Sequence, residues 1–156
     1  MKRGQLIAVV GTLFLGVAIW LAPTKPNQPA VAKVDSVSEK INQAVELISS
    51  GKEPPMAGIT LLREVLEEDP QNVEAHFYLG YFSVQSGQYD KAVERFLTVL
   101  EINPERDEAR YLLGMSYLEI NDTSSALTQL RMLAQGEGEK EIKKSAIKAI
   151  NELEKL

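Results

Sequence analysis

The 156-residue chain contains no cysteine and only one histidine, His76. The first absence excludes a disulfide framework, a thiolate nucleophile and any cysteine-based metal site. The second excludes every metal motif built on two histidines and removes most acid–base schemes, in which histidine is the commonest participant. No phosphate-cradling glycine loop and no nucleophile elbow is present, and no Ser/His/Asp set has partners to spare. The acidic stretch "EVLEEDP", with Glu64, Glu67, Glu68 and Asp69, lacks the glycine-punctuated spacing of a calcium loop and reads as a hydrated helix end. "NPERDE" reads as a charged turn and helix start, and His76, next to the small Ala75, as a side chain packed between helices. These absences point away from an enzyme, a metal and a cofactor.

Positive charge is also short. The chain has 17 Lys+Arg against 22 Asp+Glu, a net charge of −5. From Lys33 onward there are 14 cations against the same 22 anions, a net charge of −8. Nucleic-acid binding needs a basic footprint, so no nucleic-acid partner is expected. Adhesion of this part to anionic lipid is disfavoured for the same reason. An apolar fraction of 44% is ordinary for a folded chain, and the length suits one domain.

The first 35 residues differ from the rest. After Lys2 and Arg3, "QLIAVVGTLFLGVAIWLA" carries no charge from Leu6 to Ala22. Such a run reaches the lower end of the roughly 17–25 residues that cross hydrocarbon as a helix, and it exceeds the usual ~7–15 of a signal-peptide core. Trp20 suits an interfacial anchor, and the leading Lys2 and Arg3 favour a cytoplasmic N-terminus. Pro23 blocks cleavage after Ala22, and the small-x-small site Ala30-Val31-Ala32 lies far beyond the apolar core. Residues 1–22 are therefore expected to be an uncleaved transmembrane anchor, with cleavage to a soluble periplasmic form as the alternative. Residues 23–35, "PTKPNQPAVAKVD", with three prolines, are expected to form an extended tether.

The remainder repeats itself. Pro70, Ala75, Leu79, Gly80 and Ala92 recur 34 residues later as Pro104, Ala109, Leu113, Gly114 and Ala126. A fixed period in this range signals stacked units, each too small to bury its own apolar face. Each unit reads as two helices. Phe77, Tyr78, Gly80, Tyr81 and Val84 mark the first, and Gly87 in Ser86-Gly87-Gln88 supplies a left-handed stop. Asp90 starts the second, with Ala92, Val93, Phe96, Leu97, Val99 and Leu100 at helical spacing. Asn103-Pro104 ends it, because proline disfavours helical geometry at the residue before it. Gly80 and Ala92 are expected to face each other where the two helices cross. A last helix, about Lys140 to Lys155, carries one apolar stripe (Ile142, Ala146, Ile147, Ile150, Leu153, Leu156) and a polar one containing Lys143, Lys144, Lys148 and Glu152, as a cap over the final unit requires.

"AHFYLGYFSVQSGQYDKAVERFLTVLEINP", residues 75–104, resembles a tetratricopeptide repeat, with Leu79, Gly80, Gly87, Tyr89, Ala92, Phe96 and Pro104 at the signature spacings. The following unit matches at Leu113, Gly114, Tyr117 and Ala126; Asn121 replaces the turn glycine, and Gly136 intervenes before any closing proline. The first unit is degenerate, with Ala44 and Gly58 at the small positions and "GKEPPM" lengthening its turn. The resemblance implies an all-α solenoid of seven helices in a short right-handed superhelix. Its parts are a degenerate repeat over 36–70, repeats over 71–104 and 105–136, and a capping helix over 137–156, preceded by one transmembrane helix.

In this family the first helix of each unit lines a concave groove that holds an extended or helical peptide. By that register the middle repeat presents Glu74, Phe77, Tyr81, Val84 and Gln85, and the next presents Glu108, Tyr111, Met115, Leu118 and Glu119. The first adds Ile41, Val45 and Ile48. Such a groove has an aromatic floor and acidic edges, suited to a partner with apolar anchors and basic flanks. The family's chaperone-binding members clamp a terminal carboxylate with Lys and Asn where this chain has Phe77, Tyr81 and Tyr111, so that clamp is absent. The resemblance thus implies a non-enzymatic adaptor for a protein or peptide partner. The N-terminal anchor places it on the periplasmic side of a bacterial inner membrane, in a layout similar to repeat subunits of cytochrome c maturation, division or outer-membrane assembly. The alternatives are a self-associating homo-oligomer whose groove is covered by its last helix or tether, and an organelle receptor with cytosolic repeats.

Overall fold

The computed structural model describes residues 31–50 and 55–155. Ser36–Leu156 form one compact unit. The apolar run Leu6–Ala22 lies outside the described residues. Among those that are described, no helix is long and apolar enough to cross a membrane.

Seven helices make up the described residues, with no strand among them: α1 (Val31–Ser49), α2 (Met56–Glu68), α3 (Val73–Gln85), α4 (Tyr89–Ile102), α5 (Asp107–Glu119), α6 (Thr123–Gln135) and α7 (Lys140–Leu153). α1 begins five residues inside the segment expected to be extended. The last proline there is Pro29, so nothing between Val31 and Ser49 lacks an amide donor or prevents helical geometry.

Local chemistry sets the boundaries of the repeats. α3 is capped by Asn72, whose Oδ1 accepts from Ala75 N at 3.0 Å; α6 is capped in the same way by Asp122, accepting from Ser125 N at 3.0 Å. α3 closes with Gln88 N donating to Ser83 O (2.8 Å) and Gly87 N to Val84 O (3.0 Å), while Gly87 sits at φ 70°. α5 closes with the same pair of bonds, Asp122 N to Tyr117 O (2.8 Å) and Asn121 N to Leu118 O (2.9 Å), around Asn121 at φ 63°. Both are Schellman ends, and asparagine is the side chain that best tolerates the left-handed position after glycine. α2 and α4 stop at Asp69 and Asn103, whose φ values of −138° and −131° are the extended geometry expected before Pro70 and Pro104.

Packing follows the 34-residue period further than the five identities suggest. Gly58, Ala92 and Ala126 are equivalent, as are Leu62, Phe96 and Leu130, and Val65, Val99 and Leu133; all nine are buried. The second helix of the first unit is thus regular, and its degeneracy lies in α1 and the turn. Three apolar clusters follow one another along the stack, the first across α1, α2 and α3, the second across α4 and α5, the third across α6 and α7.

The small positions admit close approach, with partners other than those expected. A Cβ on Gly80 would lie 2.8 Å from Phe96 Cε1, so Gly80 faces the Phe96 ring rather than Ala92. One helical turn separates Ala92 from Phe96, and the ring fills the crossing. Gly114 meets Leu130 in the same way (3.0 Å), and Gly58 lies against the Ala44 carbonyl and Ile48.

α7 packs on α6 and reaches α5, as α5 packs on α4 and reaches α3. It therefore stands where the first helix of a further unit would stand. Its buried face is Ala146, with Ile142, Ala149, Ile150 and Leu153 packed around it. Ile147, expected on that stripe, is 46% exposed.

Candidate functional site

Four of the residues expected in the groove come together. Phe77 and Tyr81 from α3 with Glu108 and Tyr111 from α5 line a cleft of about 310 Å³. Three further residues complete it: Tyr78, Leu112 and, from α7, Ile142. The first two precede or follow groove positions by one residue, so the helical register alone assigns them elsewhere. Ile142 was legible as apolar but not as a wall of this cleft.

The aromatic side chains brace one another. Phe77 lies edge-on to Tyr78 (centroids 5.6 Å apart) and tilted against the buried Phe96 (6.0 Å). Tyr78 stacks on Phe82 at 6.3 Å, and Phe82 meets Tyr81 edge-on at 5.8 Å. Edge and offset pairs at these spacings are favourable, so the floor of the cleft is anchored to the core. Tyr81 is the most open member, at 38% exposure. Tyr111 is half-buried against the α6–α7 cluster.

The acidic edge is partly neutralised, one guanidinium serving two carboxylates. Arg106, at the cap position of α5, donates to both carboxylate oxygens of Glu74, and its Nε donates to Glu108 Oε2 at 2.7 Å. Its guanidinium carbon lies 4.7 Å from the Phe77 ring centroid, a cation–π contact. The hydrogen bond to Glu74 is the main reason that Arg106 holds its proton more tightly than usual, with burial opposing and both carboxylates assisting. Asn72 occupies the equivalent place one repeat earlier and caps its helix. Arg106 gives up that capping bond and ties α3 to α5 instead. A basic flank on a partner therefore finds less unpaired acid here than the sequence suggests, and Glu119 lies exposed outside the cleft.

The other expected groove residues are not brought to this cleft. Ile41 is buried in the first core cluster, and Val45 and Ile48 pack against it, because α1 spends its apolar face on α2 and α3. Val84 packs against the second cluster. Met115 and Leu118 are half-buried, and Gln85 is exposed.

His76 packs between helices as expected. Its Nε2 lies 2.9 Å from Pro70 O and its Nδ1 3.1 Å from Arg95 Nη1, so Nε2–H donates to the carbonyl and Nδ1 accepts from the guanidinium. The next repeat builds the same bridge from other residues: Arg110 donates to Pro104 O (2.6 Å) and to Gln129 Oε1 (3.2 Å). In the acidic stretch, Glu68 pairs with Lys40 at 2.6 Å, and Asp69 accepts from Gln71 N and Asn72 Nδ2, both at 3.2 Å.

The comparisons with known proteins agree with this architecture. A family model for anaphase-promoting complex, cyclosome, subunit 3 matches residues 58–133. Over 73 residues the chain is 33% identical to anaphase-promoting complex subunit 3 of Dictyostelium discoideum, a match covering 47% of this chain and 8% of that protein. The chain thus spans a small part of the curated relative. Among solved structures it is similar to the N-terminal domain of stress-induced protein-1 (STI-1) from C. elegans, with a TM-score of 0.64 and 15% identity over 77% of this chain and 95% of that one. It is also similar to a MamA mutant, with a TM-score of 0.61 and 24% identity over 75% of this chain and 67% of the other. For MamA of AMB-1 the TM-score is 0.55 at 26% identity, over 62% and 56% of the two chains. Helix pairs that recur at 34 residues, close on the same turns and fold as these neighbours do give the chain the tetratricopeptide-repeat fold.

Proposed function

We propose that the chain is a non-enzymatic adaptor that holds a segment of a partner protein in the aromatic cleft, and that the run Leu6–Ala22 tethers it to a membrane. The observation that carries the reading is the cleft between Phe77, Tyr81, Tyr111 and Ile142, apolar throughout its open surface and braced from behind by Phe96 and Phe82. A floor already held in place loses little freedom when a partner binds, so more of the contact energy appears as affinity. Its size suits one bulky apolar side chain of an extended or helical segment. The curated relative is by its name a subunit of a complex, which supports a place in an assembly. Lys2 and Arg3 ahead of the apolar run support repeats on the periplasmic side of a bacterial inner membrane, in envelope assembly. Self-association by stacking on the last helix is disfavoured, because Glu141, Lys144, Lys148 and Glu152 make its outer face polar.

The test is a photoreactive residue in place of Tyr81 in the full-length chain, crosslinked in cells and read by mass spectrometry. One dominant heterologous partner, competed away by its own peptide, is the expected result. Crosslinks confined to α7 or to a second copy would overturn the adaptor reading.

A further inference from the structure

A different face of α3 borders a second cleft, between α2 and α4, of about 420 Å³. Its floor is apolar, formed by Ile59, Leu79 and Phe82, and Met56 stands beside it with 59% of its surface exposed. Its rim is basic, with Arg63, Lys91 and Arg95 against one carboxylate, Glu94. None of the three cations forms an ion pair among the described residues. Lys91 gives its amine to Gln88 Oε1 at 2.6 Å, and Arg95 is held through one nitrogen by His76. By contrast Lys40, Arg106, Arg131, Lys144 and Lys148 each lie within 4.0 Å of a carboxylate. In a chain of net charge −5, three cations against one carboxylate over an apolar floor is a local reversal of sign.

We infer that this cleft docks an acidic segment of a partner protein. One bulky apolar side chain rests on Ile59 and Phe82, and flanking carboxylates meet Arg63, Lys91 and the outward N–H groups of Arg95. Arg95 suits the task because His76 fixes one edge of its planar guanidinium and so orients the remainder for a carboxylate. Complementary charge sets register and selects against basic segments. The chain's overall acidity does not cancel the attraction, since exposed charges beyond about 8 Å are screened at physiological salt. That distance also decides the class of partner. A short segment meets the net positive rim of three cations and Glu94, whereas a membrane surface or a nucleic-acid backbone extends past the cleft onto acidic protein.

The test uses the full chain with labelled methionine and isoleucine methyl groups, in detergent, titrated with two short capped peptides. One has a phenylalanine flanked by glutamates; the other has lysines in their place. Saturable shifts at Met56 and Ile59 with the glutamate peptide alone are expected. Arg63→Glu with Lys91→Glu, both exposed and so compatible with folding, should weaken that binding at least about tenfold. The labelled Ile142 methyl, in the aromatic cleft, should not shift, which separates this site from that one. Equal response to both peptides, no response at millimolar peptide, or indifference to the charge reversal would overturn the proposal. So would shifts at these methyls with phosphatidylglycerol vesicles but not with peptide.

Discussion

Gly87 and Gly80 are seven residues apart and indispensable for opposite reasons. Gly87 takes a left-handed φ of 70° and has no atom within 4 Å of where a Cβ would stand, so its demand is purely conformational. Gly80 lies within α3, where any residue fits the backbone, but its Cβ would press on the fully buried Phe96 ring at 2.8 Å. Gly87→Ala should therefore cost about 1 kcal/mol as a left-handed non-glycine residue. Gly80→Ala should cost about 1–3 kcal/mol as overpacking. The two mechanisms separate in double-mutant cycles with Phe96→Leu, measured by urea denaturation. The 80/96 pair should couple, and the 87/96 pair should add to within about 0.5 kcal/mol. Additivity at 80/96 would place Gly80 away from the ring.

Among the elements, α7 is held by the least buried apolar surface, Ala146 being its one fully buried residue, and by a polar latch. Asp107 Oδ2 accepts from Glu139 N at 2.8 Å, and Gly138 lies so close that a Cβ there would meet the same oxygen at 1.7 Å. Gly138→Ala must expel the carboxylate. Amides of α7 should then lose most of their hydrogen-exchange protection while those of α3 and α4 keep theirs. Unchanged protection in α7 would mean that apolar contacts alone hold it. This element also marks where the sequence stops being informative. The pairs α3–α4 and α5–α6 were legible because caps, stops and apolar spacing are local signals. The buried face of α7 was not, because it is set by a contact spanning 32 residues between Asp107 and the preceding loop, which leaves Ile147 outward and brings Ala149 in. Arg106 was illegible for the same reason: within "NPERDE" nothing shows that its partner is Glu74, a full repeat earlier. The aromatic positions 77, 81 and 111 followed from the repeat register. The register could not foresee that Ile41 belongs to the core, since it does not show that α1 spends its apolar face on α2 and α3.

At the scale of the whole stack, Leu62, Phe96 and Leu130 form a row of equivalent, fully buried side chains, one in the second helix of each unit. They belong to, or adjoin, successive apolar clusters rather than a single common core. Stability in such a stack is the sum of each unit's own terms and those of its nearest neighbours. A cavity at one end should therefore be felt weakly at the other. Each of Leu62→Ala and Leu130→Ala should cost about 2–5 kcal/mol where it acts, the usual range for a buried leucine. Native-state hydrogen exchange should distribute that loss unevenly. Leu62→Ala should raise exchange in α2 and α3 and spare α6 and α7, and Leu130→Ala should do the reverse. Phe96→Ala, in the middle of the row, should raise exchange on both sides. If the two leucine variants lowered protection equally in every helix, the units would be one cooperative core, and the row of equivalent residues would mark shared ancestry without independent stability.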